Sequence, residues 1–567
     1  MNEFNRIRFL VAGSFALAAA IFFAIVAAIP NREIMRICFV KSSYYIILGM
    51  FLVWTVMLVR YFSKINLSFK QFLARNWKGL CLTLALMGAV FMSVKPGYRV
   101  LSDETNLLGV SRSMLFEHTV QNPTMGFFYY GNLQVTNYEK EKRPFLFPFL
   151  LSIVHLVLGY KWTNLFVLNF LVGWSFLFMF YRVFEPRGGL AGGLAASVLL
   201  ASYPIFTLNA TGGGFDLLAA FFMALALLMV WIYLHNPEKE ELNLLWMTLL
   251  MLANTRYESF IYLPVIFALL FAFRRVPDKK RVLLLSLVSV PFFFPIAWQR
   301  ILTAGNYEHP AGTTIFSVSS LSSNLRFMLN SQFDFTFKPP YNNIINLAAF
   351  LCIIWLVIPA AKKLYDTRLK VQFAAIAGGA VGLNVLINCA HFFVPSYAHP
   401  VSARWFIGFS AACVFMVSVF LVDVFKVKPW FFLILSLALF SLYHPTAMER
   451  RFPNCITMIR ATDYVYDFLA KADDRNLLVV TDRPGQYVVA DYGAISFKYA
   501  NSHVKETFDR LRRHLCSHIV ILQDIRYDTG RPIPEHTLSK EYPLEPLAEI
   551  QNTAEAYVRI SKVVLPE

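Results

Sequence analysis

Charge is what this 567-residue chain has least of: 15% of its residues are Asp, Glu, Lys or Arg, where a soluble globular protein carries about 25%. So few ionic groups cannot cover a water-facing surface, and 57% of the residues are hydrophobic. A soluble enzyme and a disordered chain are excluded together. Cysteine is also sparse. The seven, at positions 38, 81, 352, 389, 413, 455 and 516, contain no CxxC or CxxH pair, which excludes a disulfide framework and a cysteine zinc site. There is no internal repeat and no low-complexity tract. Acidic residues are outnumbered, 35 against 52 Lys and Arg, giving a net charge of +17. In a membrane protein such an excess reports orientation before it reports nucleic acid.

What is present is a succession of apolar runs, with 55 Phe, 26 Tyr and 10 Trp among them. Spans are expected at residues 9–29, 44–59, 80–94, 165–181, 190–208, 215–234, 244–253, 260–273, 282–298, 344–360, 371–390, 405–422 and 430–443. That is a polytopic α-helical membrane protein of about thirteen transmembrane helices. The first run is read as an uncleaved helix, being long for a signal peptide and lacking an A-x-A site. A further run, 145–160, is short after Pro148 and follows Glu141-Lys142-Arg143-Pro144. If it does not cross, the clusters around Arg60/Lys64, Arg182/Arg187, Arg274–Arg281, Lys362–Lys370 and Lys426/Lys428 all fall on the cytoplasmic side, as the positive-inside rule asks. The expected arrangement has a cytoplasmic N-terminus in the bacterial inner membrane and a C-terminal segment outside.

The division expected is 1–78 for two extra helices and a loop, then 79–444 for the main membrane domain with a first outer loop at 95–164. The stretch 445–567, where charges return, is expected as a small extracytoplasmic α/β domain. In it helices are expected at 460–471 and 502–515, and strands at 476–481, 487–490, 518–523 and 556–564.

Five groups of charged residues stand out at the outer ends of the spans. Asp103-Glu104 lies about ten residues past a helix, and adjacent carboxylates point to different faces. A plain acidic loop start is the competing reading. Asp216 follows Thr211-Gly212-Gly213-Gly214-Phe215, where glycines permit close backbone approach and an aspartate equally serves as a helix cap. Arg256-Tyr257-Glu258 interrupts an apolar stretch. A charge there costs about 2.5–3.5 kcal/mol on insertion scales, so it needs a partner or a cavity. Lys142-Arg143-Pro144 and the segment His399 to Trp405, with Arg404, complete the set. Arg404 alone could be a snorkelling side chain. His399 has no second His or Cys at ligand spacing, which argues against a metal site.

In their order and common side these motifs resemble the GT-C glycosyltransferases, in the branch of protein O-mannosyltransferases and lipid A aminoarabinose transferases. Asp103-Glu104 is similar to the family's first-loop Asp-Glu, and Arg143-Pro144-Phe145-Leu146-Phe147-Pro148 to its basic-Pro-Pro-Leu juxtamembrane helix, with Gly159 near the end. Asp216 is similar to the second-loop acid, and His399 to Trp405 to the late Arg-aromatic motif. The Arg-Pro-Phe departs from the usual Lys-Pro-Pro or His-Pro-Pro, and two extra helices precede the family's first. The resemblance implies a GT-C fold and a polyprenyl- or dolichyl-phosphate sugar donor. It further implies a glycan, lipid or protein acceptor, inversion, and no required cofactor, with a divalent cation as an open alternative. In it Asp103 is the general base, Glu104 and Asp216 orient, and Lys142, Arg143, Arg256, His399 and Arg404 bind phosphate, with Glu258 in support. An oligosaccharide-transferring ligase or oligosaccharyltransferase, and a lipid-linked sugar flippase, are the competing functions. Cys455 and Cys516, both outside, are a candidate pair whose bonding the sequence leaves open.

Overall fold

The computed structural model describes residues 31–275, 279–303, 316–336, 340–357, 368–391, 399–449, 457–472 and 476–565. The expected first span and Cys455 lie outside these residues. The chain divides into two compact units. One comprises 1–96, 142–149 and 166–449; the other comprises 97–141, 150–165 and 450–567.

The first unit is helical. Seven described helices are long and apolar enough to cross a membrane. Arg32–Lys64, Asp216–His235, Arg368–Ala390 and Pro429–Glu449 are among them. Others, such as Lys239–Ala253 and Asn343–Val357, have 15 residues each, fewer than the roughly 20 of an upright span. Length alone therefore does not establish the expected thirteen.

The element Asn164–Ala201 is in truth a reversal. Gly189 has φ 60° and ψ −162° and follows Pro186, a conformation glycine tolerates and other residues do not. Past it the chain packs back on itself. The Ser197 hydroxyl donates to the Leu177 carbonyl at 2.8 Å, and a Cβ on Gly193 would sit 2.8 Å from the Tyr181 carbonyl oxygen. The two halves correspond to the separate runs expected at 165–181 and 190–208.

Ionic contacts mark one end of this unit. Lys64 Nζ lies 2.7 Å from Glu238 and 2.7 Å from Glu241, and Arg187 lies 3.3 Å from Asp423. Arg275 donates to Gln372 at 2.7 Å. The helices Asp216–His235, Lys239–Ala253 and Val401–Val424 run from this end to Asp216, the Arg256 segment and the Arg404–Trp405 segment. The basic loops and the candidate site thus occupy opposite ends of the bundle.

The second unit is built on a seven-stranded sheet of order β2-β1-β4-β3-β5-β7-β6. In chain order the strands are β1 Gln121–Tyr129, β2 Asn132–Lys140, β3 Leu478–Thr481, β4 Gly493–Ser496, β5 Ile519–Arg526, β6 Leu544–Gln551 and β7 Ala556–Val563. Strands β4, β3 and β5 are parallel, and antiparallel hairpins close both edges. Leu478, Val480, Ile495, Ile519 and Ile521 form the core with Phe127 of β1.

The α/β expectation holds for β3, β5, β7 and the helices Thr457–Lys471 and Val504–Arg512. The strand expected at 487–490 is displaced. Pro484–Val488 is a short helix with proline in its first turn, where the ring costs nothing, and the strand follows at β4. Residues 97–141, expected with the membrane domain, group instead with 450–567, because β1 pairs with β4 at Gly126 and Ala494.

Candidate functional site

In the helical unit the site is assembled from three helix ends. Asn169 donates to the carbonyls of Gly212 at 2.7 Å and Gly214 at 2.9 Å. This clamps the triple-glycine turn and delivers Asp216 into the first turn of the Asp216–His235 helix. There the helix dipole favours its carboxylate. Asp216 is 1% exposed. Arg256 lies in extended backbone between the Lys239–Ala253 helix and the turn Tyr257–Ile261. Its guanidinium pairs with Asp216 on one side and Glu258 on the other. It also sits 5.5 Å from the Phe215 ring centre and 5.8 Å from that of Trp405.

Arg404 reaches the same carboxylate, 3.2 Å from Asp216 Oδ2, an ion pair outside hydrogen-bond alignment. Its Nε donates to the Val401 carbonyl at 2.9 Å, which fixes the approach. The four charges sum to zero. Each guanidinium carries five N–H donors, however, and its carboxylate partners use only some of them. The quartet lines a recess shared with Met223, Tyr262, Asn384, Asn388 and Trp405. Such a recess can hold an anion against two arginines whose own orientation is already fixed by Asp216.

A second strand of contacts joins Arg143 to the Arg256 segment. The Leu146 N–H donates to the Asn254 carbonyl at 3.1 Å. Gln299, completely buried, donates from Nε2 to the Arg143 carbonyl at 2.8 Å and accepts from the Tyr257 hydroxyl at 2.8 Å. Arg300 stacks 3.6 Å from the Tyr257 ring centre. Asn384, Asn388, Gln299 and Arg300 escaped sequence reasoning. The first three are uncharged residues in apolar helices, and only the 384/388 spacing of one helical turn hinted at a shared face.

His399 is exposed and serves as a local cap, its Nδ1 accepting from the Val401 N–H at 3.3 Å. It does not line the recess. Lys142 and Arg143 are half-buried. Three carboxylates near enough to share a cation do occur among the described residues, at Glu238, Glu240 and Glu241. Lys64 is already seated against them.

Asp103 and Glu104 occupy the first turn of the Leu101–Phe116 helix in the other unit. Glu104 is buried and accepts from the backbone N–H groups of Arg99 at 2.6 Å and Val100 at 3.3 Å. It thereby ties down the turn that carries the half-buried Asp103. Burial lowers the Arg99 guanidinium to about 10, against the opposing pull of Glu104 and Asp463.

The same unit contains a Ser111–His155–Asn164 line. His155 Nδ1 lies 2.9 Å from the Asn164 amide nitrogen, and its Nε2 lies 3.2 Å from Ser111 Oγ. Ser111 already donates to the Leu108 carbonyl at 2.7 Å, so the imidazole donates to the hydroxyl. That is the reverse of what a nucleophile needs from its base.

Neither a family model nor a curated protein matches this sequence. Solved structures do. The crystal structure of ArnT from Cupriavidus metallidurans bound to undecaprenyl phosphate superposes with a TM-score of 0.51 at 11% identity, covering 85% of this chain and 97% of that one. Its apo form gives 0.50 at 12%, covering 86% and 98%. The chain shares the fold of these ArnT structures. A weaker likeness, TM-score 0.39 at 12% identity over 78% of this chain and 67% of that one, is to the Archaeoglobus fulgidus oligosaccharyltransferase in complex with Zn and sulfate. Of the residues singled out by resemblance to GT-C enzymes, Asp216, Arg256 and Arg404 are gathered at one recess with Glu258.

Proposed function

We propose that this protein is a membrane glycosyltransferase that moves a sugar from a polyprenyl- or dolichyl-phosphate donor to an acceptor hydroxyl at the outer face of the membrane. The convergence of Arg256 and Arg404 on Asp216 carries the reading. Two oriented guanidinium groups at the mouth of a helical bundle suit a lipid-borne phosphate, and the GT-C fold of ArnT, itself described with undecaprenyl phosphate, supports it.

In this mechanism Asp103 accepts the proton of the acceptor hydroxyl as its oxygen attacks the anomeric carbon in line. The bond from that carbon to the phosphate oxygen breaks, and the electron pair leaves with the lipid phosphate. The anomeric centre inverts. Arg256 and Arg404, with Lys142 and Arg143, stabilise the charge that grows on the departing phosphate. Phosphate is a good leaving group, so no second carboxyl is needed as acid. Glu104 orients the base through the turn it fixes.

A reaction assisted by a divalent ion is the alternative. Both Asp216 oxygens already face guanidinium groups, which favours the metal-free reading. Replacing Asp103 by Asn is expected to abolish transfer while leaving undecaprenyl phosphate binding within about twofold, since an uncharged isostere removes the base and keeps the shape. Full transfer by that variant refutes the assignment.

A further inference from the structure

We propose that Gln299 is a positioning residue that couples the two cationic limbs of the site. The inference rests on the glycosyltransferase reading above. Arg143 and Arg256 sit on separate pieces of chain, and nothing in their own sequence sets the distance between them. One backbone bond, from the Leu146 N–H to the Asn254 carbonyl at 3.1 Å, ties the two pieces, and Gln299 adds the side-chain link that sets them against each other. Its carboxamide is completely buried near the end of the Lys279–Thr303 helix. The amide nitrogen is spent on the Arg143 carbonyl at 2.8 Å, and the amide oxygen on the Tyr257 hydroxyl at 2.8 Å.

Tyr257 lies between Arg256 and Glu258, and its ring is held from the other side by Arg300 at 3.6 Å. One rigid helix thus fixes the Lys142–Arg143 limb through backbone and the Arg256–Glu258 limb through a side chain. A carboxamide suits this task because it offers a donor and an acceptor on one small planar group. A glutamate would present a second oxygen to the Arg143 carbonyl, and a leucine would satisfy neither partner.

The test is a double-mutant cycle on the full-length protein in lipid nanodiscs, reading the dissociation constant for undecaprenyl phosphate. Gln299→Leu and Arg143→Ala are each expected to weaken binding about five- to tenfold, the scale of one hydrogen-bonded or ionic contact. Gln299→Leu added to Arg143→Ala is expected to weaken it no further than about twofold, because the residue being positioned is gone. Tyr257→Phe removes the same link by deleting one oxygen. It is expected to show the same non-additivity with Arg143→Ala, so a poorly folding Gln299 variant does not leave the matter open. Effects that multiply, as independent structural damage would, overturn the inference and leave the function standing. So does wild-type affinity in Gln299→Leu. Failure of the wild-type protein to bind undecaprenyl phosphate overturns the functional reading, and this inference with it.

Discussion

Asp216 and Arg256, forty residues apart in sequence, form an ion pair at the meeting of two membrane helix ends, with the Asp216 side chain 1% exposed and that of Arg256 13%. A carboxylate so placed cannot turn to water for a partner, and its loss leaves two buried guanidinium groups with Glu258 as their remaining partner in the quartet. Asp216→Ala is expected to lower stability by about 3–5 kcal/mol, the usual cost of orphaning a buried charge. The Asp216→Ala/Arg256→Ala double variant should lose clearly less than the sum of the two singles. Thermal unfolding in detergent, followed for all three, checks this. Additive losses would show that the two residues do not act as a pair.

Tyr181 is nested between Gly79 and Gly193. A Cβ at Gly193 would lie 2.8 Å from the Tyr181 carbonyl oxygen, while one at Gly188 would find nothing nearer than Pro429 at 3.7 Å. Gly193→Ala is therefore expected to destabilise by about 1–3 kcal/mol, as overpacking does, and Gly188→Ala to stay near wild type. Comparing the two melting temperatures is sufficient, because both lie next to the same reversal. Equal behaviour would contradict the close packing of its two arms.

His155 gives a pH dependence outside the spanning helices. Burial pushes its imidazole down to about 4, and the Asn164 and Ser111 contacts describe a neutral ring. An unfolded histidine titrates near 6.5, so below that pH the unfolded chain takes up a proton that the folded chain refuses. Stability is therefore whole above about pH 6.5 and falls as pH drops toward 4, by roughly 2–3 kcal/mol in total. His155→Gln should remove this component from the melting temperatures measured between pH 7 and 5. An unchanged slope would contradict a buried neutral imidazole.

Arg510 fastens the β1–β2 hairpin to the Val504–Arg512 helix. It stacks 3.7 Å from the Phe127 ring centre and donates to the Tyr129 hydroxyl at 2.7 Å and Glu506 at 2.9 Å. Arg510→Ala is expected to free the hairpin and speed its cleavage by a protease severalfold. Arg510→Lys should rescue only in part, since an ammonium cannot stack as a planar guanidinium does. Cleavage rates indistinguishable from wild type would refute the role.

The charged members of the recess were legible in the sequence because ionisable residues in apolar runs are costly and therefore conspicuous. Arg256 and Glu258 announced themselves in this way, Asp216 through the triple glycine that precedes it, and Arg404 through its place at the outer end of a span. Gln299, Asn384 and Asn388 did not, since an amide in an apolar helix carries little penalty once its partners are met, and those partners are distant in sequence. The reversal at Gly189 was legible as two runs split by Glu185-Pro186-Arg187-Gly188-Gly189. The hairpin was not. Gly126 finds Ala494 only after most of the chain has intervened, and no local pattern records such a pairing. His399, five residues from Arg404 in sequence, caps the Val401 N–H and does not line the recess.

Mass spectrometry of lipid-linked sugars and surface glycans tests the central claim most directly, in cells carrying the wild-type gene, no gene, or the Asp103→Asn variant. The account predicts that the latter two lose the same sugar from one acceptor and accumulate the unreacted donor, that sugar still joined to its polyprenyl or dolichyl phosphate. Identical glycan and carrier profiles in all three would contradict it.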